Sequence, residues 1–133
     1  MSCCLSLENL LLKRGDRILC KDINIALEHK DKIAILGHNG SGKTTLLETI
    51  AGLIKIESGT IEIFHKKLLT EADFKDIRSK IGYLLQDSDD HFLSPIALDD
   101  IAFTLLSRGV KPAEARSEAE KMMMTLGIEP LAN

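Results

Sequence analysis

The chain has 133 residues, 44% of them hydrophobic and 28% charged, with a formal net charge of −3, which allows one domain or part of one. The charged residues form no long run of one sign, so no nucleic-acid partner is predicted. No apolar run is long enough to span a bilayer. The three Cys residues include one adjacent pair and no second cluster that could complete a zinc site, which indicates reduced thiols in the cytosol.

The first elements in chain order are predicted to be strands. Residues 5–12 form a first strand, and residues 13–17 form a turn. Hydrophobic residues then alternate with others over residues 23–27, which is typical of a half-buried strand. A second turn leads into residues 32–36, a nearly continuous apolar run that predicts a short buried strand.

A glycine loop follows this strand and matches the pattern G-x-x-x-x-G-K-[ST]. Glycines let the backbone turn tightly and approach a phosphate, and the amides of such a loop form a nest of donors at the start of the following helix. The lysine can reach the outer phosphates, and the hydroxyl after it can ligate Mg²⁺. The predicted nucleotide-binding residues are Gly37, His38, Asn39, Gly40, Ser41, Gly42, Lys43, Thr44 and Thr45.

The elements after the loop alternate between helix and strand. A helix over residues 45–51 ends at Gly52, and residues 60–64 form a strand after a turn. A short helix is predicted over residues 73–80, and a buried strand over residues 81–85 that ends at Gln86.

Two helices are predicted in the last part of the chain. A polar loop over residues 87–91 leads to a helix that begins near Pro95. The acidic pair Asp99 and Asp100 is interpreted as the first turn of this helix, where carboxylates favour the positive end of the dipole. A last helix covers residues 112–126, and its predicted buried stripe consists of Ala115, Ala119, Met122 and Leu126.

These elements resemble the ABC-type ATPases. The glycine loop alone also occurs in kinases, GTPases and helicases, but residues 77–86 resemble the approach to the Q-loop of the ABC family. Residues 46–53 and 58–61 are also similar to that family. The segments 86–95 and 100–103 resemble the cobalt/nickel and energy-coupling-factor branch.

The resemblance implies a fold and a set of roles. The fold is α/β, a P-loop core with an N-terminal antiparallel β subdomain over residues 1–95 and the start of a helical subdomain over 96–133. ATP and Mg²⁺ are the implied ligands, with Thr44 and Gln86 at the metal. Gln86 would complete the Mg²⁺ shell or orient the attacking water, and it would also report nucleotide to the helical region. Arg14 falls about where the family has an adenine-stacking aromatic residue, and a solvated turn arginine is the favoured interpretation.

The resemblance further implies an importer subunit, with cobalt or nickel ions or a vitamin as cargo. Its partners would be a transmembrane subunit, contacted through the Q-loop and helical region, and a second ATPase subunit. The protein would then be cytoplasmic and peripheral on the inner face of the membrane.

The family's later motifs do not occur in these 133 residues: no L-S-G-G-Q signature, no apolar strand ending in Asp-Glu and no switch histidine. The expectation is therefore an N-terminal part of an ABC ATPase that lacks a general base and shows no turnover alone. The alternative is a complete small P-loop protein such as a nucleotide kinase. Against it, the later arginines are not clustered as a kinase lid requires, and no N-K-x-D guanine reader is present.

Overall fold

The computed structural model describes residues 3–87 and 92–132. Their elements are β1 (Cys3–Arg14), β2 (Arg17–Glu28), α1 (Lys43–Ile50), β3 (Thr60–Ile63), β4 (Lys66–Lys67), α2 (Glu71–Arg78), α3 (Ala97–Ser107), α4 (Pro112–Leu126) and a 3₁₀ turn (Glu129–Leu131). The chain divides into two compact units, Met1–Tyr83 and Leu84–Asn133. The predicted subdomain boundary between residues 95 and 96 stays a prediction.

The first unit is built on an antiparallel sheet with strand order β2-β1-β3-β4. Strand β1 lies in the middle, so that Leu7 pairs with Ile25 of β2 and with Ile61 of β3. Leu7, Leu10 and Ile61 are at most 1% exposed, because alternate residues of the strands face one side of the sheet. The predicted α/β fold with an antiparallel β subdomain is confirmed.

Helices α1 and α2 share the core of this sheet through Leu46 and Ile77, which are both buried. Helix α2 begins with a capping box, in which Thr70 Oγ1 accepts from the amide of Asp73 and the Asp73 carboxylate accepts from the amide of Thr70. The hydrogen bond from the Thr70 side chain, followed by that from Lys66, holds the pKa of Asp73 well below its ordinary value. This helix is predicted two residues later in the sequence than the structure places it.

The second unit contains α3 and α4, which pack through Leu98, Ala102, Ala115, Ala119 and Met123. Asp99 and Asp100 lie in the first turn of α3, as predicted. The bounds of α4 are also confirmed, and the predicted polar loop falls largely on residues 88–91, outside the described residues.

The predicted stripe on α4 is partly wrong. Ala115 and Ala119 are fully buried, but Met122 and Leu126 are 52% and 62% exposed, and Met123 is buried in their place. Residues 115, 119 and 123 are spaced by four, so they form the row that faces α3, and the i+3 step to Met122 leaves that row.

The predictions of buried strands over residues 32–36 and 81–85 are wrong in this structure. Neither segment pairs with a strand within residues 3–87 and 92–132. Ile35 and Ile81 pack against the core, whereas Leu36 and Leu84 are 90% and 83% exposed. An apolar run becomes a strand only through a ladder of backbone hydrogen bonds to a neighbouring strand, and neither segment is part of the β2-β1-β3-β4 sheet of the described residues.

Candidate functional site

The candidate nucleotide site is the glycine loop (residues 37–45), which joins the largely exposed segment 32–36 to α1. Gly40 and Gly42 adopt left-handed conformations, with φ of 79° and 99°, and Gly42 is the N-cap of α1. Residues with a side chain rarely adopt these dihedrals, so the two glycines are required by the path of the backbone. The loop thereby delivers the chain directly into the first turn of the helix.

The tip of the β1–β2 hairpin packs against this loop at Gly42. A Cβ at Gly42 would lie 3.0 Å from Leu12 Cδ2 and 3.2 Å from Leu19 Cβ, which is tighter than ordinary van der Waals contact, so a side chain here would require both leucines to shift. Leu12 and Leu19 are therefore supports of the site that the sequence analysis missed. Their alternation marks them as sheet residues, but only the tertiary fold shows that they meet the loop.

The amino end of α1 differs from the other helix starts of the described chain in what surrounds it. It has no side-chain cap and no acidic residue in its first turn. By contrast, α2 has the Thr70 cap, α3 has two acids in its first turn, and α4 has Glu114. The first amides of α1 thus keep their donor capacity and the positive end of the dipole keeps its field, which is an arrangement suited to an anion.

Lys43 bridges the loop from inside. Its ammonium donates to the carbonyl oxygens of Gly37 and His38, both at 2.8 Å. These two bonds hold the cation beside the loop backbone, and one N–H of the ammonium is left for a further acceptor. The cation and the free amides of α1 therefore converge on the same short stretch of chain.

The other predicted loop residues lie around this centre. The amide of Ser41 donates to the carbonyl of His38 at 3.2 Å, which closes the turn that contains Asn39. Thr44 is exposed, so its hydroxyl is accessible to a ligand. Thr45 is only 2% exposed and packs into the unit, and its carbonyl accepts a 2.6 Å hydrogen bond from Thr49 Oγ1.

Gln86 and Arg14 lie on other parts of the chain. Gln86 is exposed and belongs to the second unit, so its predicted place at the metal stays a prediction. Arg14 is exposed at the end of β1, beside the hairpin turn.

A metal cage is not present in the described part of the chain, where His, Cys, Asp and Glu form no group of three or more that could hold an ion. The two residues predicted for Mg²⁺, Thr44 and Gln86, still fit an ion that binds together with a nucleotide. Mg²⁺ in such sites takes one or two protein ligands and completes its shell with phosphate oxygens and water. None of the helices in residues 3–87 and 92–132 has the length and apolar character required to cross a membrane.

The site and the fold together define a P-loop type of nucleotide-binding unit, with a strand-rich subdomain packed on the glycine loop. Comparison with known proteins gives the family. A match to the ABC transporter family covers residues 20–133. The chain belongs to the ATP-binding proteins of the ABC transporter family.

Two curated relatives illustrate the match. An uncharacterized ABC transporter ATP-binding protein of Haemophilus influenzae is 37% identical over 127 residues, which cover 96% of this chain and 58% of that protein. The energy-coupling factor transporter ATP-binding protein EcfA1 of Leuconostoc mesenteroides is 33% identical, over 97% of this chain and 47% of that protein. The chain thus spans about half the length of these relatives.

Two solved structures have the same fold. The structure of cbiO1 from Clostridium perfringens, described as part of the ABC transporter complex cbiONQ, has a TM-score of 0.86 at 28% identity, over 100% of this chain and 54% of that one. The ATP-binding cassette MJ0796, solved as a dimer bound to ADP and Pi, has a TM-score of 0.81 at 26% identity, over 97% of this chain and 60% of that one. The resemblance inferred from the sequence is confirmed.

Proposed function

We propose that residues 37–45 bind ATP and that the chain acts as the ATP-binding part of an ABC-type importer subunit. The observation that carries the proposal is the amino end of α1, which has neither a cap nor a first-turn acid and follows a glycine loop with a bridging lysine. The amides of the loop would bind the β- and γ-phosphates, and Lys43 would neutralise charge on them. Family membership favours this function over that of a small nucleotide kinase.

Thr44 and Gln86 are the residues that we propose to hold Mg²⁺. The ion supplies charge stabilisation to the phosphate oxygens when it is bound. The exposed Thr44 hydroxyl sits at the start of α1, and Gln86 lies at the end of the segment that leaves the first unit. Substituting Thr44 with Ala should make nucleotide affinity nearly independent of added Mg²⁺, and an unchanged Mg²⁺ dependence would contradict this assignment.

For the whole protein, we propose that ATP hydrolysis drives uptake through a membrane partner, with cobalt or nickel ions or a vitamin as cargo. The cargo proposal is supported by the residues of segment 86–95, which are similar to the energy-coupling-factor branch, and by a relative named as an energy-coupling factor transporter protein. Uptake of labelled cobalt, nickel and vitamins in cells with and without the gene tests it. For each cargo, equal uptake in the cells with the gene and the cells without it would contradict the proposal.

The surface that we propose for the membrane partner lies in the second unit, between α3 and α4. It is a groove of about 530 Å³, lined by Leu93, Asp100, Ile101, Phe103, Thr104, Leu105, Glu118, Ala119 and Met122. Phe103 and Met122 are about half exposed, and two carboxylates line the same groove. Such a surface suits a helix that presents apolar side chains and one basic residue.

Partner binding and assembly are both testable. A photo-crosslinker at position 103 should trap a membrane-spanning protein in cells, and one at position 75 should not. We also propose a second ATPase subunit as a partner. Through its transmembrane partner, the protein would lie on the cytoplasmic face of the membrane. Absence of a second ATPase subunit from purified complexes would contradict the proposed pairing of ATPase subunits.

Binding of a fluorescent Mg-ADP analogue tests the nucleotide site directly. Replacing Lys43 with Ala removes a charge-assisted contact worth about 1.5–3 kcal/mol, so we expect affinity to fall by about 10- to 100-fold. Lys75→Ala is the matched control, because Lys75 is an exposed lysine on α2 in the same unit. Equal affinities for the Lys43 variant and wild type would reject the proposal.

A further inference from the structure

One side chain of the first unit is hydrogen-bonded to the backbone at the end of α1, the helix that follows the glycine loop, and it has no part in the function proposed above. Arg78 is the last residue of α2, and its Nη1 donates to the carbonyl oxygen of Gly52 at 3.1 Å. Its Nη2 forms an ion pair with Glu71, the first residue of α2. A single guanidinium thus connects Gly52, the second residue after α1, with both ends of α2.

The end of α1 is closely fitted to α2. Gly52 has a φ of 72°, and its amide donates to the carbonyl of Thr49, while the amide of Leu53 donates to the carbonyl of Glu48 at 2.8 Å. This is a Schellman C-cap, which fixes the direction in which the chain leaves the helix. A Cβ at Gly52 would lie 2.3 Å from Cδ1 of Phe74, so the backbone of this cap lies directly against α2.

The charge of Arg78 suits this position. The carboxyl end of a helix carries partial negative charge, and a cation there is stabilising. Helix α1 has no basic residue of its own in its last turn, so Arg78 of α2 supplies the cation from outside. The amino end of the same helix is the proposed phosphate site, and a shift of α1 toward or away from a phosphate would therefore move the carbonyl that Arg78 binds.

Helix α2 in turn leads toward Gln86, which follows Arg78 by eight residues. We propose that Arg78 is a positioning residue that couples α1 to α2 and to the start of the segment leading to Gln86, so that nucleotide binding at the glycine loop orders that segment. This inference rests on the proposed nucleotide binding. Leu46 and Ile77 also join the two helices through the core, and Phe74 packs on Gly52, but these contacts are apolar and non-directional, whereas the Arg78 bond holds a carbonyl at the end of α1 in one direction.

Hydrogen exchange measured by mass spectrometry, with and without Mg-ADP, tests the coupling. In the wild-type chain, we expect Mg-ADP to slow exchange in residues 37–50 and also, by about fivefold or more, in residues 71–83. In Arg78→Ala, the protection of 37–50 should remain while that of 71–83 falls below about twofold. Arg78→Lys keeps a cation and should be intermediate, and it remains informative if the alanine variant does not fold. Lys75→Ala on the same helix should behave as wild type.

The outcomes separate this inference from the function on which it rests. Protection of 71–83 that persists in Arg78→Ala, or in Arg78→Lys at the full wild-type level, would overturn the coupling. Wild-type protection confined to 37–50 would also overturn it and would leave nucleotide binding intact. If Mg-ADP protects neither region of the wild-type chain, the proposed nucleotide binding itself is wrong, and the coupling fails with it.

Discussion

The packing of the β1–β2 hairpin on the glycine loop predicts that two alanine substitutions in the loop will differ sharply. Gly40 and Gly42 both have positive φ, so either substitution forces alanine into a conformation that costs roughly 1–2 kcal/mol. A Cβ at Gly40 meets nothing within 4 Å, whereas a Cβ at Gly42 meets Leu12 at 3.0 Å and Leu19 at 3.2 Å. Overpacking of this kind adds about 1–3 kcal/mol.

The expected magnitudes follow from these figures. If the strain appears in nucleotide affinity, Gly40→Ala should weaken Mg-ADP binding by about 5- to 30-fold, since 1.4 kcal/mol is tenfold. Gly42→Ala carries the same strain plus the clash, about 2–5 kcal/mol in all, and should weaken binding by at least about 30-fold.

The assay is a titration with a fluorescent Mg-ADP analogue on wild type and both variants, with far-UV circular dichroism to compare their helix content. Each variant serves as the other's control, because the change in side chain is identical and only the surroundings differ. An equal loss of affinity in the two variants, or a larger loss for Gly40→Ala, would refute the reasoning that the hairpin holds the loop at Gly42.

Three further outcomes are expected. The 133-residue chain should release no phosphate from ATP above background, because its sequence lacks the Asp-Glu strand end and the signature motif, and steady release abolished by Lys43→Ala would contradict this. The pKa of Asp73 is lowered in the folded state, so its contribution to stability is full above about 3.8 and is lost progressively as pH falls below that value toward the lowered pKa. In urea unfolding, the loss of stability caused by Asp73→Asn should therefore be larger at neutral pH than at acidic pH, and a constant difference would refute this. The exposed apolar residues of segments 32–36 and 81–85 should make the isolated chain aggregate and bind a hydrophobic dye. Mg-ATP should rescue it only in part, because ligand at a hundred times its dissociation constant adds about 2.7 kcal/mol to stability. A sharp thermal transition from a soluble monomer without nucleotide would contradict this prediction.

Signals that act within a few residues could be read from the sequence. The bounds of α4 follow from a proline at its first position and a glycine after its last, and both are where the structure has them. The acids in the first turn of α3 and the glycine after α1 are also local signals that the sequence alone shows. Each depends on backbone hydrogen bonding or on the helix dipole, so the rest of the fold does not need to be known.

Features that depend on which elements meet could not be read in this way. Periodicity placed Ala115 and Ala119 correctly on the buried face of α4, but it did not decide between Met122 and Met123, because the choice depends on the angle at which α3 crosses. The contact of Arg78 with Gly52 is another case. It joins residues 26 apart, and nothing in either local sequence predicts the pair.

The segment 32–36 shows most clearly why an apolar run is not yet a strand. Its composition predicts burial on both faces, but a strand is made by hydrogen bonds to a neighbour, and within the described residues Leu36 remains 90% exposed. This segment enters the glycine loop, whereas the other side of the loop is fixed by α1, by the hairpin packed on Gly42 and by Arg78 at the far end of the helix. Two of the proposed groups of phosphate donors, the amides at the start of α1 and the ammonium of Lys43, belong to this fixed side. For this reason, nucleotide affinity should respond strongly to substitutions at Gly42 and Lys43 and only weakly to polar substitutions at Leu36.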